Sequence, residues 1–324
     1  MRLFDLHCDT AFEMYRRGSG LDDLSLHVNF DGIMKYEKYS GIFAVWSDRR
    51  LSDKKAYEAY RNIITYLKSK ISPLSCGASV LFSVEDARIL EGKMSRIDEL
   101  ISDGISLVTP MWRGENILGG AYDTNMPLTK FGKAAIEKLL SAGVLADISH
   151  ASVAAAEQIA YLAISSGKPV IASHSDSFEV NPHPRNLRDR QFQYIRDSGG
   201  VVGICLEPTH LSPSGEAGIE DVVRHIEHFL SLGGENTVAI GTDFDGIETT
   251  PRSLGSLSEL TALPRRLAAL NYSEELISKI MYKNAARLFP AALAQGRDIP
   301  AREDAAYKND QNNNLKLPKQ ERDT

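Results

Sequence analysis

The chain has 324 residues, of which 43% are hydrophobic and 25% are charged. This composition excludes disordered and fibrous classes and is typical of a globular protein with a large core. The net charge is −6 and no long basic block occurs, so we expect no nucleic-acid partner. No apolar stretch approaches the roughly 18 residues that cross a bilayer, and the N-terminus lacks a signal-peptide layout, so we expect a cytoplasmic protein without membrane contact.

Short apolar, β-branched runs recur along the chain between helical patterns. Their starts lie about 34 residues apart on average, which is the length of one strand and one returning helix. Continuous hydrophobicity predicts strands covered on both faces, as in a parallel sheet. Eight such units predict an α/β fold, a closed (β/α)₈ TIM barrel. The runs begin near Arg2, Gly41, Ala78, Ile105, Val144, Pro169, Val201 and Thr237.

The connecting segments carry helix signals. Asp53 to Lys70 has an apolar stripe at helical spacing, and a second helix follows Thr129 and ends before Gly143. Ser152 is placed to cap the helix after the fifth strand, and Ser273 is placed to open a last helix that runs to Leu288.

The composition changes once, near Gly296. We expect residues 1–296 to form a single barrel domain and the polar residues 297–324 to be a disordered tail. The three cysteines, Cys8, Cys76 and Cys205, have no paired spacing, which argues against disulfides or a Cys-based zinc site. We expect reduced, buried thiols.

Polar residues of metal-ligand type follow five of the predicted strands, at the end of the barrel where active sites lie. The first run ends in His7-Cys8-Asp9, and residues two apart on a strand face the same side. Such a pair alone is a weak signal, but imidazoles and carboxylates from five strands suit zinc or another divalent ion. Six groups exceed the needs of one four-coordinate zinc, so we predict two metal ions that share Glu85. The residues are His7, Asp9, Glu85, His150, His174 and Asp243.

Other residues of the same types have simpler interpretations. Glu91 is an alternative bridge, but it lies in a predicted helical stretch. His225 and His228 are three apart on a helix and could face one metal, although a solvated helix side is favoured. His210 follows the seventh strand and either lines the pocket or has no ligand role, and His27 is interpreted as structural.

Six stretches together resemble the membrane (renal) dipeptidase family, binuclear zinc peptidases of the amidohydrolase superfamily. The resemblance implies that His7, Asp9 and Glu85 bind one zinc, and that Glu85, His150 and His174 bind the other. It implies dipeptide substrates, many with a C-terminal D-residue, a substrate-carboxylate contact by Arg185, and proton transfer by Asp243. The stretches are DLHCDT, LFSVED, VLADISHAS, PVIASHS, HPRN and AIGTDFDG.

The sequence departs from the family pattern at Trp112, where the family has a histidine that holds the substrate carbonyl. An indole offers one N–H donor and no cationic form. Arg113 or Asn116 is placed to supply the missing donor in the substrate site. Trp46 ends the second strand and is placed to form a wall of the pocket.

The expected activity is hydrolysis of free dipeptides by a hydroxide held between two Zn²⁺ ions. Two alternatives remain open: hydrolysis of a cyclic amide or lactone, favoured if Arg185 is remote from the pocket, and a non-catalytic metal-binding barrel, suggested by Trp112. The expected partner is a small-molecule dipeptide. The oligomeric state is left open, with a homodimer as one alternative.

Overall fold

The computed structural model describes residues 1–71 and 78–290, and within them eight parallel strands form one sheet. All eight coincide with the predicted apolar runs to within a few residues. Cys76 and the predicted tail, 297–324, lie outside the described residues, whereas Cys8 and Cys205 are buried free thiols. The strands are β1 (Arg2–Cys8), β2 (Lys38–Val45), β3 (Ala78–Glu85), β4 (Ile105–Thr109), β5 (Leu145–Ala146), β6 (Ile171–Ala172), β7 (Val201–Ile204) and β8 (Val238–Ile240).

The sheet closes into a barrel. The strand order β5-β4-β3-β2-β1-β8-β7-β6 leaves the two shortest strands at its ends. Asp147, directly after β5, pairs in parallel with Ile171 of β6, and the backbone N–H of Ile148 donates to the Ile171 carbonyl at 2.8 Å. The predicted (β/α)₈ TIM barrel is therefore confirmed.

Helices follow the strands and cover the outside of the barrel. Ser152 and Ser273 cap their helices as predicted, since their hydroxyls accept from the N–H of Ala155 at 3.0 Å and of Leu276 at 3.2 Å. No helix within the described ranges is long and apolar enough to cross a membrane. The helices are α1 (Thr10–Arg17), α2 (Phe30–Ile33), α3 (Asp53–Lys70), α4 (Ser95–Asp103), α5 (Lys130–Ser141), α6 (Val153–Ser165), α7 (Asp189–Asp197), α8 (Pro208–Leu211), α9 (Ile219–Ser231), α10 (Ala262–Ala269), α11 (Glu274–Ser278) and α12 (Asn284–Ala286).

Two helix predictions differ from the structure. The last helix is not uniform, because a π-helical turn, Lys279–Lys283, joins α11 to α12 and the helix ends at Ala286. Glu91 does not lie in a helix. It follows a 3-10 turn, Ala87–Leu90, with a φ of 45°, and Gly92 has a φ of 72°, so two successive left-handed residues stop the helical path.

An apolar cluster fills the barrel interior. Every strand contributes to it, and Tyr282, Ala285 and Phe289 after the last strand pack against it. The polar residues of the barrel therefore collect at the other side, at the carboxyl ends of the strands. The strand residues of the cluster are Phe4, Leu6, Ile42, Leu81, Leu107, Leu145, Ile171, Val201 and Ala239.

The buried Asp147 carboxylate holds the strand ends around the barrel seam. Its Oδ1 accepts from the backbone N–H of Ser149 at 2.9 Å and of Ser173 at 3.0 Å. Its Oδ2 accepts from the hydroxyls of Thr109 at 2.7 Å and Ser173 at 2.5 Å. One carboxylate thus joins the residues that end or follow β4, β5 and β6.

We expect Asp147→Asn to lower the free energy of unfolding by about 2 kcal/mol or more, because an amide nitrogen replaces an acceptor of two buried hydroxyls. Urea denaturation measures the change. Asp98→Asn is the matched control, since exposed Asp98 forms only a surface pair with Lys138 at 2.7 Å and should cost less than about 0.5 kcal/mol. Equal effects of the two substitutions would show that Asp147 does not hold the seam.

Candidate metal centre

The structure brings the six ligand-type residues to one place at the carboxyl end of the barrel. Each lies at the end of a strand or in the residues that follow it, and five are buried. This proximity results from the parallel sheet, because the carboxyl ends of parallel strands meet at one edge. The residues are His7, Asp9, Glu85, His150, His174 and Asp243.

His7 lies at the centre of three carboxylates. Its Nε2 is 3.7 Å from Asp9 Oδ2, 3.7 Å from Asp243 Oδ1 and 3.8 Å from Glu85 Oε2. These distances exceed a hydrogen bond, and neither ring nitrogen of His7 has a hydrogen-bond partner within the described ranges. A group of one imidazole and two carboxylates, His7 with Asp9 and Asp243, is therefore compact enough to hold a metal ion.

Glu85 continues the cluster toward two further histidines. Its Oε1 lies 2.9 Å from His150 Nε2 and 3.6 Å from His174 Nε2, while its Oε2 faces His7. The two oxygens of one carboxylate thus face different groups of ligands. This is the arrangement that a bridging carboxylate between two ions requires.

The tautomers of His150 and His174 are set by groups behind them. His150 Nδ1 lies 2.8 Å from the carbonyl of Trp112, which can only accept. His174 Nδ1 lies 2.7 Å from Ser173 Oγ, whose proton goes to Asp147. Both Nδ1 atoms are therefore donors, and both Nε2 atoms present lone pairs to the site.

The two Nε2 atoms lie 2.8 Å apart, and without a proton between them this contact is repulsive. Burial lowers the pKa of both His150 and His174 well below the usual range, so neither ring carries an extra proton to relieve it. A cation that accepts both lone pairs removes the repulsion. The donor set of imidazoles and carboxylates therefore fits a divalent metal such as zinc.

The carboxylates around His7 also favour a bound cation. Burial lowers the pKa of His7, but the charges of Glu85, Asp9 and Asp243 outweigh it and raise the pKa to about 10. Burial raises the pKa of Asp243 to about 7 and that of Glu85 well above its usual range. Three carboxylates around one imidazolium leave an excess of buried negative charge, which metal ions offset.

The backbone is strained at two of these residues. His150 has a φ of 66° and Asp243 a φ of 60°, in the left-handed region that costs a non-glycine residue of order 1 kcal/mol. Gly246 is required nearby, because a Cβ there would lie 2.2 Å from Asp9 Oδ2 and 2.6 Å from Asp243 Oδ1. The absence of a side chain lets the two carboxylates approach each other.

Arg185 lies next to this cluster. It is buried, its Nη2 is 3.4 Å from the carbonyl of His174, and its guanidinium is 5.6 Å from the ring centroid of Tyr122. A cavity of about 270 Å³ extends from His150 past Arg185 to the exposed Arg188. The cavity therefore offers an anion-binding group beside the candidate metal ligands.

Trp112 and Trp46 form an aromatic wall on the other side of His150. The rings of Trp112 and Trp46 meet edge to face at 5.3 Å, and the Trp112 ring centroid is 6.2 Å from that of His150. The Trp112 indole thus lies close to the centre, while its backbone carbonyl orients a candidate ligand.

The two residues considered as substitutes for the missing donor are engaged elsewhere. Asn116 Nδ2 donates to Asp86 Oδ1 and to the Pro110 carbonyl, both at 2.8 Å, and its Oδ1 accepts from two backbone N–H groups of its own loop. Arg113 is exposed and lies 3.7 Å from Asp123. Asn116 therefore holds the loop after β4. Neither Asn116 nor Arg113 is included in the proposed substrate site.

Three other histidines have partners outside the centre. The prediction that His225 lies on a solvated helix side is wrong, because the ring is fully buried and its nitrogens pair with the N–H of Ser177 at 3.0 Å and the carbonyl of Leu211 at 3.1 Å. His228 pairs with Asp189 at 2.7 Å. His27 accepts from the backbone N–H of Asp245 at 3.0 Å, in agreement with a structural role.

Sequence reasoning missed the residues that orient the ligands. Asp147 and Ser173 hold His174, and Asp5 accepts from the backbone N–H of Thr242 at 2.9 Å and from its hydroxyl at 2.6 Å, which joins β1 to the segment that carries Asp243. The only signal was a polar residue one to three positions before a ligand, in or beside an apolar run.

Comparisons with known proteins agree with this site. The membrane dipeptidase family (peptidase family M19) matches residues 74–303 of the chain. An uncharacterized protein in the pqqA 5′ region of Klebsiella pneumoniae is 32% identical over 217 residues, which are 63% of this chain and 79% of that protein. An uncharacterized dipeptidase of Schizosaccharomyces pombe is 26% identical over 238 residues, 72% of this chain but 58% of its own length.

Solved structures share the fold. A metallopeptidase from Rhodobacter sphaeroides, liganded with a phosphinate mimic of the dipeptide L-Ala-D-Ala, has a TM-score of 0.81 and 23% identity and covers 90% of this chain and 99% of its own. The probable dipeptidase PvdM from Pseudomonas aeruginosa has a TM-score of 0.80 and 19% identity and covers 91% and 96%.

The family match extends over more than half of the chain, and the buried imidazoles and carboxylates at the barrel mouth form groups that could hold the metal that such an enzyme requires. The chain therefore belongs to the membrane dipeptidase family, peptidase family M19, and is a metal-dependent hydrolase of peptide bonds.

Proposed function

We propose that the protein hydrolyses free dipeptides, including those with a C-terminal D-residue, and that it binds two zinc ions. The observation that carries the proposal is the position of Glu85, whose two oxygens face separate groups of ligand-type side chains. In this proposal His7 and Asp9 hold one ion, His150 and His174 hold the other, and Glu85 bridges them. The L-Ala-D-Ala mimic bound by the R. sphaeroides relative supports the D-residue.

Zinc ions bound at this centre supply a water-derived nucleophile at neutral pH and polarise the substrate carbonyl. The chain's own residues must then hold the substrate and move protons. Asp243 is proposed to accept the proton of the attacking water and to deliver it to the departing amine. Its carboxylate lies 3.7 Å from His7 beside the proposed ligands, which places a proton acceptor at the centre.

Arg185 is proposed to bind the C-terminal carboxylate of the substrate. A buried guanidinium beside the ligands can form a bidentate contact with that carboxylate and so position the scissile bond one residue away. A longer peptide has no carboxylate at this distance, which limits the substrate to two residues. Because Arg185 is not remote from the centre, the condition that favoured a cyclic amide or lactone substrate is not met.

Two further expectations go with the proposal. A cytoplasmic location stays a prediction from the composition of the chain, and a homodimer stays one alternative for the oligomeric state. Hydrolysis itself is tested with a panel of L,L and L,D dipeptides and zinc-loaded protein, with the free amino acids quantified. The absence of amino acid release from every dipeptide would contradict the proposed substrate class.

The shared carboxylate gives the first prediction. We expect the purified protein to retain about two divalent ions per chain, and Glu85→Gln to lose at least one of them, because an amide is a poor bridge between cations. Glu91→Gln is the matched control, since Glu91 pairs with Arg96 and, at 3.5 Å, with Lys93. Elemental analysis of the three proteins measures the content. One ion or none in the wild type, or equal loss in both variants, contradicts the bridge.

The second prediction concerns Arg185. We expect Arg185→Met to lower kcat/KM for free dipeptides by about 30- to 100-fold, which corresponds to the loss of a charge-assisted contact of roughly 2–3 kcal/mol. Dipeptide amides, which lack the carboxylate, should be nearly indifferent to the change. Arg188→Met, in the same cavity but exposed, is the control and should have little effect. If kcat/KM falls equally for free and amidated dipeptides, Arg185 has a structural role and does not bind the carboxylate.

The third prediction concerns Trp112, where the family has histidine. We expect Trp112→His to raise turnover of ordinary dipeptides, by up to about 10²-fold, because a well-placed donor stabilises the developing oxyanion. Trp112→Phe keeps an aromatic ring against Trp46 without a donor and should give no gain. Measurement of kcat/KM across the dipeptide panel separates the variants. Brisk hydrolysis by the wild type that falls in Trp112→His would show that the enzyme uses another donor.

A further inference from the structure

A second cluster of metal-ligand side chains lies beside the proposed zinc centre. Asp176 is in the loop after β6, Cys205 directly follows β7, and His210 is in the short helix α8. One ligand atom from each lies within 4.8 Å of the other two. Asp176 and Cys205 are fully buried, and His210 is 8% exposed.

The polar atoms of this cluster are not satisfied by the protein. In the part of the chain that the structure describes, no hydrogen-bond partner is found for either carboxylate oxygen of Asp176. The same is true of His210 Nδ1. The Cys205 thiol has a long contact, 3.8 Å to Asp243 Oδ2, and a hydrogen bond from the backbone N–H of Glu207. Buried carboxylate oxygens are rarely left without a partner, because burial removes them from water. Both Asp176 oxygens and His210 Nδ1 are therefore left for a ligand.

The backbone around the cluster is well anchored. The carbonyl of His210 accepts from Asn186 Nδ2 at 2.8 Å and from Asn181 Nδ2 at 2.9 Å, and the carbonyl of Asp176 accepts from the N–H of Leu187 at 2.8 Å. The segment around Asn186 therefore holds the chain at two of the three candidate ligands.

We infer that Asp176, Cys205 and His210 bind a third divalent cation, of a thiophilic kind such as zinc. One thiolate, one imidazole and one carboxylate form a mixed donor set of the type that binds zinc, with one position left open. A tetrahedral zinc with bonds of about 2.0–2.3 Å separates its ligand atoms by roughly 3.3–3.8 Å, so atoms that lie within 4.8 Å of one another must close by up to about 1.5 Å when the ion binds. The site is additional to the proposed binuclear centre and uses none of its ligands.

The charges of the site also balance. A thiolate and a carboxylate neutralise a dication, and His210 is a neutral ligand. Arg185 is close enough to act electrostatically on all three residues, and it disfavours a cation. Asp243 acts on Asp176 and Cys205 with the opposite sign, and Glu207 does so on Asp176. We therefore expect the third ion to bind more weakly than the two that Glu85 bridges.

Cobalt titration of the metal-free full-length protein tests the site, because Co²⁺ bound to a thiolate gives a sulfur-to-cobalt charge-transfer band in the near ultraviolet. We expect uptake of about three ions per chain, with the band developing as the last one binds. Cys205→Ser should lose the band and one ion, and Asp176→Asn and His210→Gln should each lose one ion. Cys8→Ser is the matched control and should keep the band, since the hydrogen bonds of buried Cys8 are with the Ile42 carbonyl oxygen, 3.8 Å from Sγ, and with Thr10.

The outcomes separate this site from the binuclear centre. Uptake of two ions without a sulfur band overturns the third site and leaves the binuclear centre intact. A sulfur band that survives in Cys205→Ser also overturns the third site, because the thiolate that binds cobalt is then not Cys205. Fewer than two ions with a band present supports the third site and counts against the binuclear centre. Circular dichroism verifies folding, and should Cys205→Ser not fold, His210→Gln decides by the same two readouts, because that side chain lies at the edge of the cluster.

Discussion

The concentration of buried negative charge at the mouth of the barrel is the constraint on which the rest of the site depends. Asp9, Glu85 and Asp243 converge on His7 at 3.7–3.8 Å, and the lone pairs of His150 and His174 face each other at 2.8 Å. Neither arrangement is stable by itself in a low-dielectric interior. Divalent cations resolve both at once, so metal binding and the stability of this end of the barrel are linked.

The barrel stabilises this cluster of imidazoles and carboxylates, because the packed core and the hydrogen bonds at the strand ends lie next to it. The apolar cluster inside the barrel holds all eight strands, and Asp147 joins the ends of β4, β5 and β6 through four hydrogen bonds. The same carboxylate, through Ser173, sets the tautomer of His174. The interaction that closes the seam therefore also orients a ligand, and a change at Asp147 is expected to affect stability and metal affinity together.

The region around the centre is asymmetric. The side that carries Arg185 offers a buried cation and a cavity suited to a substrate carboxylate, whereas the side that carries Trp46 and Trp112 is aromatic. Beyond Arg185 lies the cluster of Asp176, Cys205 and His210, whose unpartnered atoms give this side a second group of candidate metal ligands.

The sequence by itself determined the fold class through the order of its apolar runs. A buried parallel strand needs a continuous apolar run, and the helix that returns to the next strand needs a nearly constant length. The same pattern located His7, Glu85, His150 and His174, since each lies at the end of a strand or within four residues after it. Only the tertiary structure decided how Glu85 divides its oxygens, that Asn116 is engaged in its own loop, and that Asp176, Cys205 and His210 meet. These features depend on loops and on residues that are distant in sequence. Their relative positions are set by packing and by buried hydrogen bonds, and such contacts leave no local periodic signal in the sequence.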